Sequence, residues 1–327
     1  MKAAWIPVLW AVAGLSHART VTVSDVAHLQ EACANALKGD EIVVAKGVYA
    51  LTRAIAISNR PGPVTVRGET GNPADVVIEG QGQDVEAVKM IFELTDSPGW
   101  TFSALTTRKS YYHGFKFNAG STDCVLRNVV MRDHGESGVK GTSDPDKGRF
   151  PDRLLVEKCD IGFTNKAGGT RGVVEGIDGV AVEGWVVRES RFLNIQKNGG
   201  PAYAVFTKGN SRDTRIEANR FENCFIGASF GGGGTGAAYF RDHDQSVEHR
   251  GGIIKGNTII ASTDAAIYVN KGSRCRIEGN RMEGCAANIQ LRYPETTAWV
   301  SDNHSNNTAE PLVRLRDGAT LLDDHTK

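Results

Sequence analysis

Apolar residues recur along the chain in two periods. Between residues 24 and 39, Val26, Leu29, Cys33 and Leu37 return at steps of three and four, the spacing of one helical face. Ser24 stands where an N-cap belongs and Gly39 where a helix stops, so the pattern predicts a short amphipathic helix over about residues 24–38. From "DEIVVAKGVY" onward the period falls to two, in short Val-, Ile- and Thr-rich runs between Gly or Asn. Such runs are strands with one inward and one outward face, too short for helical repeats.

Seven of these runs repeat one another: "VLRNVV", "VEKCDI", "VRESRF", "IEANRF", "IKGNTI", "IEGNRM" and "VSDNHS". Their fourth position is Asn128, Cys159, Ser190, Asn219, Asn257, Asn280 and Asn303, at spacings of 31, 31, 29, 38, 23 and 23 residues. A base period near 23 with insertions is the signature of a solenoid of short strands. A small polar residue at each corner can bond backbone or its counterpart one coil away, which predicts a ladder of stacked side chains.

A second strand follows each corner. Aligning Phe115, Val139, Val174, Val205, Ala228, Ile267, Ile289 and Val313 as inward gives an outward column of Lys116, Lys140, Glu175, Phe206, Ser229, Tyr268, Gln290 and Arg314. Two residues further along lie Asn118, Thr142, Lys208, Asn270, Arg292 and Arg316. Neighbouring coils stack at ~4.8 Å, close to the length of one sugar. A stripe of Lys116, Lys140, Glu175 and Lys208 is therefore a candidate track for an anionic glycan, with lysines matched to its carboxylates.

Composition narrows the partners. Formal net charge is zero, so bulk charge offers nothing to nucleic acid, and no nucleic-acid partner is expected. Gly is abundant at 38 residues while apolar residues make up 40%, which suits tight turns around a core rather than disorder. Residues 1–18 have a basic start at Lys2, an apolar stretch and the small-residue end "SHA", the pattern of an export signal cleaved after Ala18. A secreted or periplasmic monomer with no membrane span is expected, one domain over residues 19–327. The six cysteines are scattered through strand-like contexts and are expected as small core residues rather than a disulfide framework.

With these repeats in view, residues 40–318 resemble a right-handed parallel β-helix of the pectate-lyase-like class, whose N-terminal cap "VAHLQEACANAL" would supply. The resemblance implies an all-β, single-domain solenoid with a short capping α-helix. Within that class, "VFTKGNSRDTRIEANRF" is similar to the stretch of alginate lyases and chondroitinase B in which a lysine at a strand end acts as base, which implies that role for Lys208. Two glutamates that help bind Ca²⁺ in those enzymes are replaced here by Pro201 and Tyr203, and an arginine by Ser229. Ca²⁺ therefore stays open as a cofactor, with no ligand set assigned.

β-Elimination from a uronic-acid chain needs a neutralised carboxylate, a base, and an acid near the leaving oxygen. The expected substrate is an acidic polysaccharide, with Lys208 as base and Tyr268 or His113 near the leaving oxygen. Lys116, Lys140, Glu175, Arg241 and Arg292 are the expected substrate-binding residues. Arg241 lies in the Gly-rich insertion "FGGGGTGAAYFRDHDQ", and "RDHGESG" sets Asp133, His134 and Glu136 at a turn, where plain turn chemistry competes with a metal site. Alternatives on the same fold are a non-catalytic carbohydrate-binding protein, a C5-epimerase, and a glycoside hydrolase using Glu175 and Asp178 as its carboxylate pair.

Overall fold

The computed structural model describes residues 18–323, so the export signal expected over residues 1–18 lies outside the described residues except for Ala18. Among the described residues one α-helix, Val26–Ala34, lies between the first strand, Thr20–Val23, and a succession of further short strands, and their ladders are parallel. The helix packs on the Ile55–Ser58 strand and closes the first coil, burying Leu29 and Cys33. Its N-cap is Asp25 rather than Ser24: the Asp25 carboxylate accepts the His28 N–H at 2.9 Å. Leu37 falls beyond the helix and is exposed.

Each coil turns a corner at the repeated polar position. Asn257 Nδ2 donates to Asn280 Oδ1 and Asn280 Nδ2 to Asn303 Oδ1, both at 2.9 Å, and Asn219 donates to Asn257 at 3.1 Å. The line continues through Ser190, whose N–H donates to Asn219 Oδ1, and Cys159, whose N–H donates to Ser190 Oγ. Asn128 stands outside it. Val130 pairs with Asp160, which puts Val129 opposite Cys159, and Asn128 takes a left-handed backbone (φ 53°) one residue earlier.

The core is a filled cylinder of apolar side chains, with Phe92 stacked on Phe115 and Phe192 on Phe221. All six cysteines are buried and free, and burial pushes their thiols up, to about 12 for Cys33. They are the core residues expected.

The outward stripe belongs to one ten-stranded sheet. Its middle strands are His113–Asn118, Ser137–Thr142, Val174–Val180, Ala202–Lys208, Ile226–Phe230, Ala265–Asn270 and Ile289–Arg292. Alternation breaks once in each strand: Gly176 and Ile177 both face the core, so Glu175 and Asp178, three residues apart, both face out. A Cβ on Gly176 would lie 2.3 Å from the Ala204 carbonyl oxygen and 2.9 Å from Phe192. That is why small residues, Gly114, Gly138, Gly176 and Ala204, occupy this kink coil after coil.

Candidate functional site

The kink resets the stripe. Ladder register places Lys116 beside Lys140, Lys140 beside Asp178, and Asp178 beside Phe206, followed by Ser229, Tyr268 and Gln290. Glu175 is therefore not the third member of this row, as the alternating pattern predicted. It sits in the neighbouring row with His113, Ser137 and Tyr203. Asp178 takes its place, opposite in charge to the lysines beside it.

Asp178 is the centre of the cluster. Its carboxylate is 1% exposed, pairs with the Lys140 ammonium and lies 4.0 Å from Lys208 Nζ. Burial alone would push Lys140 down, but the Asp178 and Glu175 carboxylates outweigh it and hold its pKa above the ordinary lysine value. Glu175 is pushed the other way: burial, then the Asp178 charge, raise its carboxyl well above the usual range, against the pull of Lys140 and Lys208. The two carboxyls, one row apart, are thus differentiated: Asp178 faces two ammoniums, and Glu175 favours its neutral form.

Lys208 ends its strand with its ammonium 4.6 Å from the Phe206 ring centroid. It opens on a groove of about 240 Å³ lined by Lys140, Thr142, Val180, Gly234, Thr235, Gly236 and Tyr239. The last four come from the Gly-rich insertion between Phe230 and His249. Tyr239, half exposed, is the phenol on this groove's wall, and the charged residues beside it in the sequence mask it. The only sequence signal was the aromatic pair "YF" inside an otherwise small-residue run.

His113 and Tyr268 are not brought to Lys208. His113 is buried three strands away, hydrogen-bonded through Nδ1 to Ser137 Oγ at 2.8 Å and 3.9 Å from Glu136. Burial, then Lys140 and Lys116, hold its pKa well below the ordinary value. Tyr268 lies two strands to the other side, accepting a hydrogen bond from Asn270 Nδ2 at 3.1 Å. Arg292 sits near it, with its Nε 2.6 Å from Asp317. Lys116 remains in the stripe, 3.8 Å from Glu93.

Arg241 does not face the groove. Its guanidinium is buried against the Phe150 ring at 3.7 Å, donates to the Ala181 carbonyl at 3.1 Å, and pairs with Asp152 and Glu183. It rivets the insertion to earlier coils. The turn "RDHGESG" disperses: Asp133 accepts from Thr164, His134 bonds Ser110 and Thr107 in the interior, and only Glu136 reaches the stripe. No group of three metal-ligating side chains is found among the described residues.

Residues 175–326 match a family model described as a right-handed beta helix region. Among solved structures, an alginate lyase from Paenibacillus sp. str. FPU-7 is similar over 93% of this chain and 99% of its own, at 18% identity and TM-score 0.59. A mannuronic acid specific polysaccharide family 6 lyase from human gut microbiota matches 87% of this chain and 63% of its own, at 16% identity and TM-score 0.59. A rhamnogalacturonan lyase covers 93% and 90%, at 11% identity and TM-score 0.52. No curated protein matches the chain by sequence. At these identities the likeness establishes the architecture, a right-handed parallel β-helix, and function has to be argued from the site.

Proposed function

We propose that this pectate-lyase-like right-handed parallel β-helix is an exported polysaccharide lyase acting on a uronic-acid-containing glycan. The observation that carries the proposal is Lys208: an ammonium-bearing side chain at a strand end, facing a groove, 4.0 Å from a carboxylate that is itself shared with Lys140. The alginate-lyase likeness of the surrounding stretch supports the same role, and three solved lyases of this fold supply precedent for the architecture.

In the reaction, Lys208 first releases its own ammonium proton to solvent, and the resulting amine removes the proton on the carbon next to the sugar carboxylate. The electron pair left behind forms the new carbon–carbon double bond, and the bond to the glycosidic oxygen breaks. That oxygen takes a proton from an acid, for which the Tyr239 phenol on the groove wall is the candidate. Lys116 and Lys140 would neutralise substrate carboxylates, which lowers the barrier to removing a weakly acidic proton.

The test is incubation with alginate, pectate and glycosaminoglycans, with and without Ca²⁺, following absorbance of the unsaturated product. Signal with one of them supports the reading, and silence with all of them removes it. A hydrolase would use Glu175 and Asp178, whose environments differ as an acid–base pair requires. It is ranked second because both carboxylates are buried, and it would release reducing ends without the chromophore.

A further inference from the structure

The outward column of the site sheet is open over its first coils, covered from Phe206 to Gln290, and open again at Arg314. Lys140 and Lys208 keep 22% and 14% of their side chains exposed. Beyond them Phe206, Ser229, Tyr268 and Gln290 fall to 2%, 0%, 8% and 4%, although their strands present them outward.

Over Phe206 and Ser229 the cover is backbone, while Tyr268 and Gln290 lie under the side chains of Asn270 and Arg316. At Gly231 (φ 70°) the chain leaves the sheet one residue past Phe230. Ser229 Oγ donates to the Gly231 carbonyl at 2.6 Å, and Tyr203 Oη to the Gly232 carbonyl at 3.3 Å. A Cβ on Gly232 would lie 2.8 Å from the Phe206 ring, so only glycine lets the strap lie this close. Further on, Glu248 fastens it, accepting from Gly209 N–H at 2.7 Å and from Thr235 Oγ1 at 3.2 Å. A second groove, of about 400 Å³, begins on the far side of Gly233 and Gly234, lined by Asn270, Lys271, Tyr293 and Glu295. Gly234 lines both grooves.

We propose that this strap makes the groove of Lys140 and Lys208, which Lys116 extends by one coil, blind, so that an acidic glycan enters by one chain end and is processed from that end. The part of this that concerns processing rests on the lyase reading; the blind groove itself does not. The open coils from Lys116 to Lys208 span three strand steps, about 14 Å, or roughly three sugars. A continuing polymer would collide with the Gly231–Gly234 backbone and not with a movable side chain.

The binding test uses the Lys208→Ala full-length chain and size-fractionated alginate and pectate, counting protein molecules bound per glycan chain at saturation by analytical ultracentrifugation. A blind groove holds one protein per chain whether the chain has about six or about sixty uronates. A count that rises with chain length overturns the proposal, and so does binding to neither polymer at either length. The parallel test follows viscosity and product size with the unaltered protein. Unsaturated products of one to three sugars while viscosity persists support end-wise action. Unsaturated products of mixed size with an early viscosity fall would retain the lyase reading and overturn the blind groove. One protein per chain without any unsaturated product would retain the blind groove and overturn the lyase reading.

Discussion

Asp178 and Lys208 face each other at 4.0 Å across one step of the parallel sheet, and the same carboxylate also pairs with Lys140 on its other side. One buried charge thus answers two ammoniums that would otherwise repel. It is the contact on which the order of the stripe depends.

Removing the Asp178 charge should be costly. Asp178→Asn leaves Lys140 and Lys208 without their shared counter-charge, and breaking a pair this buried costs about 3 kcal/mol. Urea unfolding of the variant should show that loss. The double replacement Lys140→Met with Asp178→Leu should recover most of it, because the closest buried pair is removed whole and the Lys208 ammonium left behind opens on the groove. A double variant as unstable as Asp178→Asn alone would mean that the pair is not the source of the loss.

Charge and basicity at Lys208 can be separated. Lys208→Ala should lower turnover by about 10²-fold or more, the scale of a lost general base. Lys208→Arg keeps the positive charge but presents a guanidinium that stays protonated. It should therefore bind oligouronates within a few-fold of the unaltered protein while matching Lys208→Ala in turnover. Equal turnover for Lys208→Arg and the unaltered protein would relegate Lys208 to binding.

Glu175 gives a stability profile with a definite sign. Its folded pKa is raised above the ordinary 4.5 by burial and then by Asp178. The neutral form is thus the one the fold favours, and its contribution is full below pH 4.5 and lost as pH climbs through the raised value. Glu175→Gln mimics the neutral acid. Its stability relative to the unaltered protein should rise steadily from pH 5 to pH 9 in chaotrope titrations, and a difference independent of pH would show that Glu175 is not held protonated.

Much of this molecule is legible in its sequence because its repeats constrain themselves. The Asn219, Asn257, Asn280 and Asn303 line appears as hydrogen bonds between the same residues that recur in the sequence. Physics that breaks the repeat was not legible. The Gly176 kink turns two successive residues inward, which moved Glu175 out of the Lys140 row and Asp178 into it. Asn128 shows the same failure by one residue, because a left-handed corner residue reads like the ladder residue beside it. Arg241 looked like a groove residue because charge in a Gly-rich loop implies solvent, whereas its partners Asp152 and Glu183 lie in other coils and only three-dimensional closure brings them together.

That last contact leads to a test of the strap. Arg241 is buried and holds two carboxylates, one backbone carbonyl and the Phe150 ring, all outside the insertion it belongs to. Arg241→Ala leaves Asp152 and Glu183 without that partner, a loss of about 3 kcal/mol for a buried pair. Because the contacts tie down residues 231–248 and not the core, the loss should appear as local opening of the strap. Where opening and closing outpace cleavage, protease nicking follows the open population, at tenfold per 1.4 kcal/mol. Limited proteolysis of the variant should therefore cut within residues 231–248 about 100-fold faster, with the remaining coils uncut and the thermal transition of the core retained. Nicking at the rate of the unaltered protein would show that Glu248 and the Gly231–Gly232 contacts hold the strap without Arg241.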